Sequence, residues 1–230
     1  MVVDLEREKA LAAARAVQEV QDGMVVGLGT GSTTGYAIRG LGRRVKEEGL
    51  RITAIATSEA SRRLAESVGI DIKAFDTIPQ LDLAIDGADE VDSSLCAIKG
   101  GGGALLREKI AAAAANRTII IVDSSKPVAK LGRFSLPVEV LPFAGAFARK
   151  QLLQFGVPVA IRLAPDGAPF VTDQGNFICT IAFGVIEDPQ STAKKIDSIP
   201  GVLEHGLFLS EIDEVFIARG DQIEILRRNY

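Results

Sequence analysis

Met24-Val25-Val26-Gly27-Leu28-Gly29-Thr30-Gly31-Ser32-Thr33-Thr34 is the stretch on which the fold turns. Its apolar start, Met24 to Leu28, suits a buried strand, and the glycines that follow let the backbone turn tightly. Ser32 onward then reads as a helix. A helix start presents free N–H groups and the positive end of its dipole to any anion placed there. Upstream, Leu5 to Val20 has the spacing of an amphipathic helix with Asp4 as N-cap. Downstream the alternation continues. Strand Ile52–Ala56, helix Ser58–Val68, strands Ile72–Phe75 and Leu81–Ile85, a helix through Ala104–Ala115 and strand Thr118–Val122 follow in turn. Strands alternating with helices imply a parallel sheet covered on both faces, a Rossmann-like α/β architecture.

The texture changes after Asp123. Pro127, Pro137 and Pro142 punctuate the chain, and Phe134–Leu141, Val159–Leu163 and Phe177–Ala182 read as strands. Phe143–Phe155 and Pro189–Ile199 read as helices, the latter opening on a proline whose missing N–H has no helical partner. This β-α-β-β-α order suggests a smaller ferredoxin-like α+β sub-domain. The strands Leu207–Leu209, Glu214–Ala218 and Gln222–Leu226 are expected to return to the first sheet. The expected domains are therefore 1–130 plus 207–230, and 131–206.

Hydrophobic residues make up 47% of the 230 and charged residues 24%, which excludes a disordered chain. With aromatics at 5% and no Trp, the core falls to Val, Ile, Leu and Ala. The formal net charge is -4 and no Lys/Arg-rich block occurs, so nucleic acid is not an expected partner. Cys96 and Cys179 read as two small buried thiols, and the single histidine, His205, gives zinc almost no support. The N-terminus is charged from the fourth residue, unlike a signal peptide, and no apolar stretch approaches the ~18 residues needed to span a bilayer. A cytoplasmic protein without a membrane partner is expected.

Four segments carry unusual residue choices. In Gly27–Thr34 the hydroxyls of Ser32, Thr33 and Thr34 join the backbone donors, in a loop expected to face solvent. A dinucleotide fingerprint needs glycine where Ser32 stands, and there is no Walker lysine. Asp86-Gly87-Ala88-Asp89-Glu90 places carboxylates at a strand end. Asp86 and Asp89 border small residues that leave room for a ligand, whereas Glu90 and Asp92 read as a solvated turn. Lys99-Gly100-Gly101-Gly102-Gly103 costs much conformational entropy and suits close backbone approach to a ligand. Glu108, in the helix that follows, reads on position alone as a surface residue, and Arg107 and Lys109 as solvated or in surface pairs. Asp123-Ser124-Ser125-Lys126 reads on its own as an ordinary turn with a capping Ser. Each segment follows a strand or opens a helix, so all can share the carboxyl edge of one sheet, where open α/β folds bind ligands. Hydroxyls, N–H groups, lysines and carboxylates without a Cys or His nucleophile suit proton transfer on a phosphorylated polar metabolite.

Taken in order, these four motifs and Pro200-Gly201-Val202-x-x-His205-Gly206-Leu207-Phe208 resemble the type A ribose-5-phosphate isomerases over nearly the whole chain. Only Ser93–Ala97 looks less typical. The resemblance implies interconversion of D-ribose 5-phosphate and D-ribulose 5-phosphate, in the non-oxidative pentose phosphate pathway, with no cofactor and no metal. It implies Glu108 as base, with Asp86, Asp89 and Lys99 as further catalytic residues. Substrate contacts would come from Thr30, Gly31, Ser32, Thr33, Asp86, Gly87, Ala88, Asp89, Lys99, Gly100, Gly101, Gly102 and Lys126. The expected partner state is a homodimer or homotetramer. Two rivals are a sugar-phosphate-sensing domain of a transcriptional regulator and a nucleotide-binding oxidoreductase. The first lacks a basic recognition helix here, and Ser32 disfavours the second.

Overall fold

In the computed structural model, which describes residues 3–228, Asp4 caps α1 (Leu5–Val17) by accepting the Arg7 N–H at 3.1 Å. Residues 1, 2, 229 and 230, within the expected outer domain limits, lie outside the described residues. β1 (Val25–Leu28) leads through the glycines into α2 (Ser32–Glu48), and β2 (Thr53–Ala56) into α3 (Glu59–Ser67), capped by Ser58. β3 (Leu83–Asp86) is followed by two short strands, β4 (Glu90–Val91) and β5 (Ala97–Ile98), then α4 (Leu105–Ala114) and β6 (Thr118–Asp123). Next come β7 (Leu136–Val140), α5 (Gly145–Leu152), β8 (Val159–Ile161), β9 (Phe177–Ile181), α6 (Pro189–Asp197) and β10 (Val202–His205). The last strands are β11 (Leu207–Phe208), β12 (Glu214–Arg219) and β13 (Gln222–Arg227).

The chain divides into two compact units. The first holds the chain up to Ala88, Arg107–Pro127 and the chain from Ser210. Its six-stranded sheet has the order β13-β12-β6-β3-β1-β2, parallel throughout except for the β12–β13 hairpin. β6 is buried along its whole length, as a central parallel strand covered on both faces should be. Burying each of its isoleucines contributes roughly 1.5–3 kcal/mol. Small residues of α1, Ala12, Ala13 and Ala16, let that helix pack close over the sheet. Glu8 on the same helix is buried and accepts the N–H of Ser124 at 2.9 Å and of Gly220 at 2.7 Å, tying two sheet-edge loops together. Burial pushes the Glu8 carboxyl up, but these hydrogen bonds prevail and hold its pKa below the ordinary value.

The second unit, Asp89–Leu106 with Val128–Leu209, holds an antiparallel sheet of order β10-β7-β9-β8 and a three-stranded sheet β11-β5-β4. The four-stranded sheet, with α5 and α6, has the strand order of a ferredoxin-like unit. Its core gathers Val138, Val140, Cys179, Ile181, Leu152 and Ile196.

Several expectations change. Residues 89–106 were expected with the first domain; they pack with the second unit, because β4 and β5 pair with β11. For the same reason Leu207–Phe208 does not return to the first sheet; Leu207 lies opposite Ile98 and Phe208 opposite Ala97. Ile72–Phe75 is not a strand. Ile72 makes one parallel bridge to Ala54 at the sheet edge, and a 3-10 turn over Phe75–Thr77 then carries the chain away. Phe143–Phe155 is helical, but as α5 flanked by two 3-10 turns. Cys179 is fully buried, with its thiol pushed up to about 11, whereas Cys96 is only partly so.

Candidate active site

The parallel strands β1, β3 and β6 end at one edge of the first sheet, and the chain leaves β1 toward β2 on one side and β3 toward β6 on the other. Such a switch point opens a crevice at the carboxyl ends of the strands. The Gly29–Thr34 loop and Asp86 meet there. One Asp86 oxygen, Oδ1, accepts the N–H of Thr30 at 3.0 Å, the hydroxyl of Thr34 at 3.3 Å and the N–H of Gly87 at 2.7 Å. Three donors on one oxygen hold the carboxylate in a single orientation. A side chain at position 29 would occupy the space of that carboxylate, so glycine is obligatory. Gly31 stands at φ +123°, beyond reach of ordinary L residues, and caps α2 with no side-chain hydrogen bond. The first turn of α2 thus lacks a side-chain cap on its N–H groups. Ser32 is exposed there, but Thr33 is 8% exposed, so the expectation of a wholly solvent-facing loop fails at Thr33. The Thr30 and Thr57 hydroxyls lie 2.8 Å apart, and the Ser61 hydroxyl donates to the Gly29 carbonyl at 2.6 Å.

At the end of β6, Asp123 is buried and its Oδ1 accepts both the N–H and the hydroxyl of Ser125. The aspartate rather than a serine closes this turn, leaving Lys126 half-buried at the same sheet edge. Glu108 lies in the first turn of α4 and is 4% exposed. The surface position that its spacing alone suggested is overturned, since α4 crosses the sheet and turns that face inward. The helix begins at the carboxyl edge: Arg107 approaches Glu59, at the start of α3, to 3.7 Å. It ends at the other edge, where the Ala114 carbonyl accepts the Leu81 N–H at 2.9 Å.

In the second unit, Asp89 accepts the N–H of Gly101 at 2.8 Å through Oδ2. Gly100 and Gly103 stand at φ +95° and +85°, and the Gly103 N–H donates to the Gly100 carbonyl at 2.9 Å. Lys99 is 3% exposed; its N–H donates to the Gly206 carbonyl at 2.9 Å, and its Nζ lies 5.3 Å from the centroid of the Phe208 ring. A cation over an aromatic face is attracted by the negative face of the ring. Gly102 is exposed, Gly87 and Ala88 are half-buried.

Glu90 corrects the sequence reading most. It is buried, not a solvated turn residue, and accepts the N–H groups of Gly132 at 2.8 Å and Phe134 at 2.7 Å. Its carboxylate is committed to that loop. Asp92 accepts the N–H groups of Ser94 and Cys96, shaping the β4–β5 turn in which Leu95 adopts φ +61°. His205, Asp197 and Glu204 gather ligand-type atoms within 4.8 Å of one another. The ring Nδ1, however, accepts the Leu207 N–H at 3.2 Å, so Nε2 carries the proton and faces Asp197 at 3.2 Å. The residue the sequence reading passed over is Arg162. It reaches the glycine loop from β8, and no local pattern marks it.

The family model for ribose 5-phosphate isomerase A (phosphoriboisomerase A) matches residues 53–222. The chain is 57% identical over 221 residues to ribose-5-phosphate isomerase A of Sphingopyxis alaskensis, covering 96% of each chain. It is 46% identical to that of Streptococcus sanguinis, covering 98% of this chain and 100% of the relative. Among solved structures, a D-ribose-5-phosphate isomerase in complex with phospho-erythronic acid superposes with a TM-score of 0.95 at 37% identity, covering 98% of this chain and 100% of that one. Ribose 5-phosphate isomerase A of Methanocaldococcus jannaschii superposes with a TM-score of 0.92 at 40% identity, covering 96% and 99%.

Proposed function

The chain belongs to the ribose 5-phosphate isomerase A family, and we propose that it interconverts D-ribose 5-phosphate and D-ribulose 5-phosphate through an enediolate, with Glu108 as the base. The observation that carries the mechanism is a carboxylate shielded from water in the first turn of α4, at the sheet edge that also bears Asp86 and the uncapped start of α2. Moving a carbonyl from C1 to C2 requires removal of the C2 proton and its return to C1. One carboxylate can do both. Negative charge builds on the C1 oxygen meanwhile, and the Lys99 ammonium neutralises it. Asp86 assists ring opening and carries protons between O1 and O2, and Asp89 orients substrate hydroxyls. Thr30, Gly31, Ser32 and Thr33 with Lys126 hold the phosphate. The backbone of Gly87, Ala88, Gly100, Gly101 and Gly102 lines the substrate. Phospho-erythronic acid, which the relative of TM-score 0.95 holds, fits this reading: it has a phosphate at one end and a carboxylate resembling the enediolate at the other.

No metal or cofactor is needed on this account, since Lys99 supplies the positive charge. The deciding experiment is an isomerase assay with purified protein after exhaustive EDTA treatment and without added cofactor. Full turnover is expected; loss that a divalent cation or a nicotinamide nucleotide restores would refute the reading.

The phosphate placement has its own test. Ser32→Glu puts a carboxylate on the exposed first position of α2, where two unit charges about 4 Å apart repel by roughly 4 kcal/mol at an effective dielectric constant near 20. The expected result is binding of ribose 5-phosphate weakened by about tenfold or more with the melting temperature unchanged. Unchanged affinity would move the phosphate elsewhere. A cytoplasmic location is part of the same reading; among the described residues no helix is long and apolar enough to cross a membrane. Self-association as a homodimer or homotetramer is supported by Leu141, Phe143 and Phe147, apolar and exposed around the start of α5. Sedimentation equilibrium giving a monomer would refute it.

A further inference from the structure

We propose that Arg162 is a positioning residue for the isomerisation, holding the Gly100–Gly101 peptide so that the Asp89 carboxylate is presented to substrate in one orientation. The inference rests on the reading of Asp89 as a substrate-orienting group. Arg162 follows β8 and its N–H donates to the Ile178 carbonyl at 2.8 Å, which anchors its backbone to the four-stranded sheet. Its Nη1 donates to the Gly101 carbonyl at 3.1 Å and reaches the Gly100 carbonyl at 3.5 Å. The Gly101 N–H, on the far end of the same Gly100–Gly101 peptide, donates to Asp89 Oδ2 at 2.8 Å. A peptide plane carries its C=O and N–H on opposite sides. The guanidinium therefore touches the carbonyl side of that peptide at 3.5 Å and the carboxylate its N–H side, while the shorter 3.1 Å bond holds the carbonyl of the next peptide, so Gly101 is fixed through both peptides that flank it.

The surroundings leave little other freedom. A Cβ on Gly101 would lie 2.6 Å from Asp89 Oδ1, and one on Gly103 would lie 2.6 Å from the Phe170 ring. The Arg162 guanidinium lies 5.6 Å from the centroid of that ring, and the Phe170 N–H donates back to the Arg162 carbonyl at 2.9 Å. Arg162 and Phe170 together brace a run of four glycines that would otherwise sample many conformations. Burial draws the Arg162 pKa down while the charge of Asp89 opposes it, so the two groups sense each other electrostatically. Both carbonyls are reached from the one nitrogen, Nη1, so the guanidinium bridges two successive peptides.

The test is a double-mutant cycle between Arg162→Met and Asp89→Asn, read by kcat and KM for ribose 5-phosphate, with amide hydrogen exchange at Gly100–Gly103. Arg162→Met is expected to lower kcat by about 10- to 100-fold, the range a misplacement of ~1 Å can produce, with KM changed far less. In the Asp89→Asn background the same substitution should change kcat less than about threefold, since coupled groups are non-additive. The amides of Gly100–Gly103 should exchange faster while those of β9 stay protected. Equal kcat losses in both backgrounds, or no loss in either, would overturn the proposal. If Arg162→Met fails to fold, Arg162→Lys carries the same cycle with a smaller loss of the same sign. An Asp89→Asn enzyme with full turnover would overturn the role of Asp89 and the inference with it. An impaired Asp89→Asn enzyme with an additive Arg162 effect would overturn the inference alone.

Discussion

Glu108→Gln should lower turnover of ribose 5-phosphate by a factor of about 10² to 10⁴, the usual worth of a positioned general base. The amide keeps the shape of the side chain, so the helix start and the buried contacts persist. What it loses is the ability to take a proton from carbon. Because Glu108 is 4% exposed, water has little access to the carboxylate, and a proton taken from C2 can be handed to C1 before it is lost to solvent. Two measurements check this. Steady-state turnover should collapse while affinity for ribose 5-phosphate, set mainly by the phosphate anchor, changes little. Whatever exchange of the C2 hydrogen with deuterated water the parent enzyme shows should fall with turnover, since it needs the same base. A variant that retains near-normal turnover would remove Glu108 from the chemistry.

Lys99→Met should lower kcat by about 10²- to 10³-fold, the range observed when one donor to a developing oxyanion is removed. Methionine keeps the apolar stem that packs in the interior, and the backbone contact of Lys99 with Gly206 does not depend on the side chain. The comparison that gives this its meaning is Lys126→Met. Lys126 is half-buried beside the Asp123 turn, at the sheet edge where the α2 start presents its N–H groups. Its loss should raise KM for ribose 5-phosphate and leave kcat nearly intact. A phosphorylated aldonic acid, whose carboxylate imitates the enediolate, should lose affinity in Lys99→Met. Inorganic phosphate, as a competitive inhibitor, should lose affinity only in Lys126→Met. If the two variants exchanged these signatures, the roles of the two lysines would have to be exchanged as well.

Much of this protein was legible along the chain because the deciding signals are local. Strand and helix alternation from Met24 to Val122 shows in apolar spacing, and Asp4 and Ser58 mark helix starts by their capping chemistry. The glycines of the two loops announce backbone shapes that other residues avoid, and Gly31, Gly100 and Gly103 indeed adopt positive φ. The order of four motifs was enough to indicate a family. What the sequence could not decide concerns contacts between distant residues. β4, β5 and β11 are two residues each, too short to show a period, and only their mutual pairing places residues 89–106 with the second unit. Glu8, Glu90 and Glu108 are all glutamates in polar surroundings, yet each is buried, because burial depends on which element packs over a side chain. For Glu8 and Glu90 it depends also on which distant N–H groups arrive to satisfy the carboxylate. Arg162 lies more than sixty residues from the loop it holds, a relation that exists only once β8 has found β9 and brought its guanidinium to the carbonyls of Gly100 and Gly101.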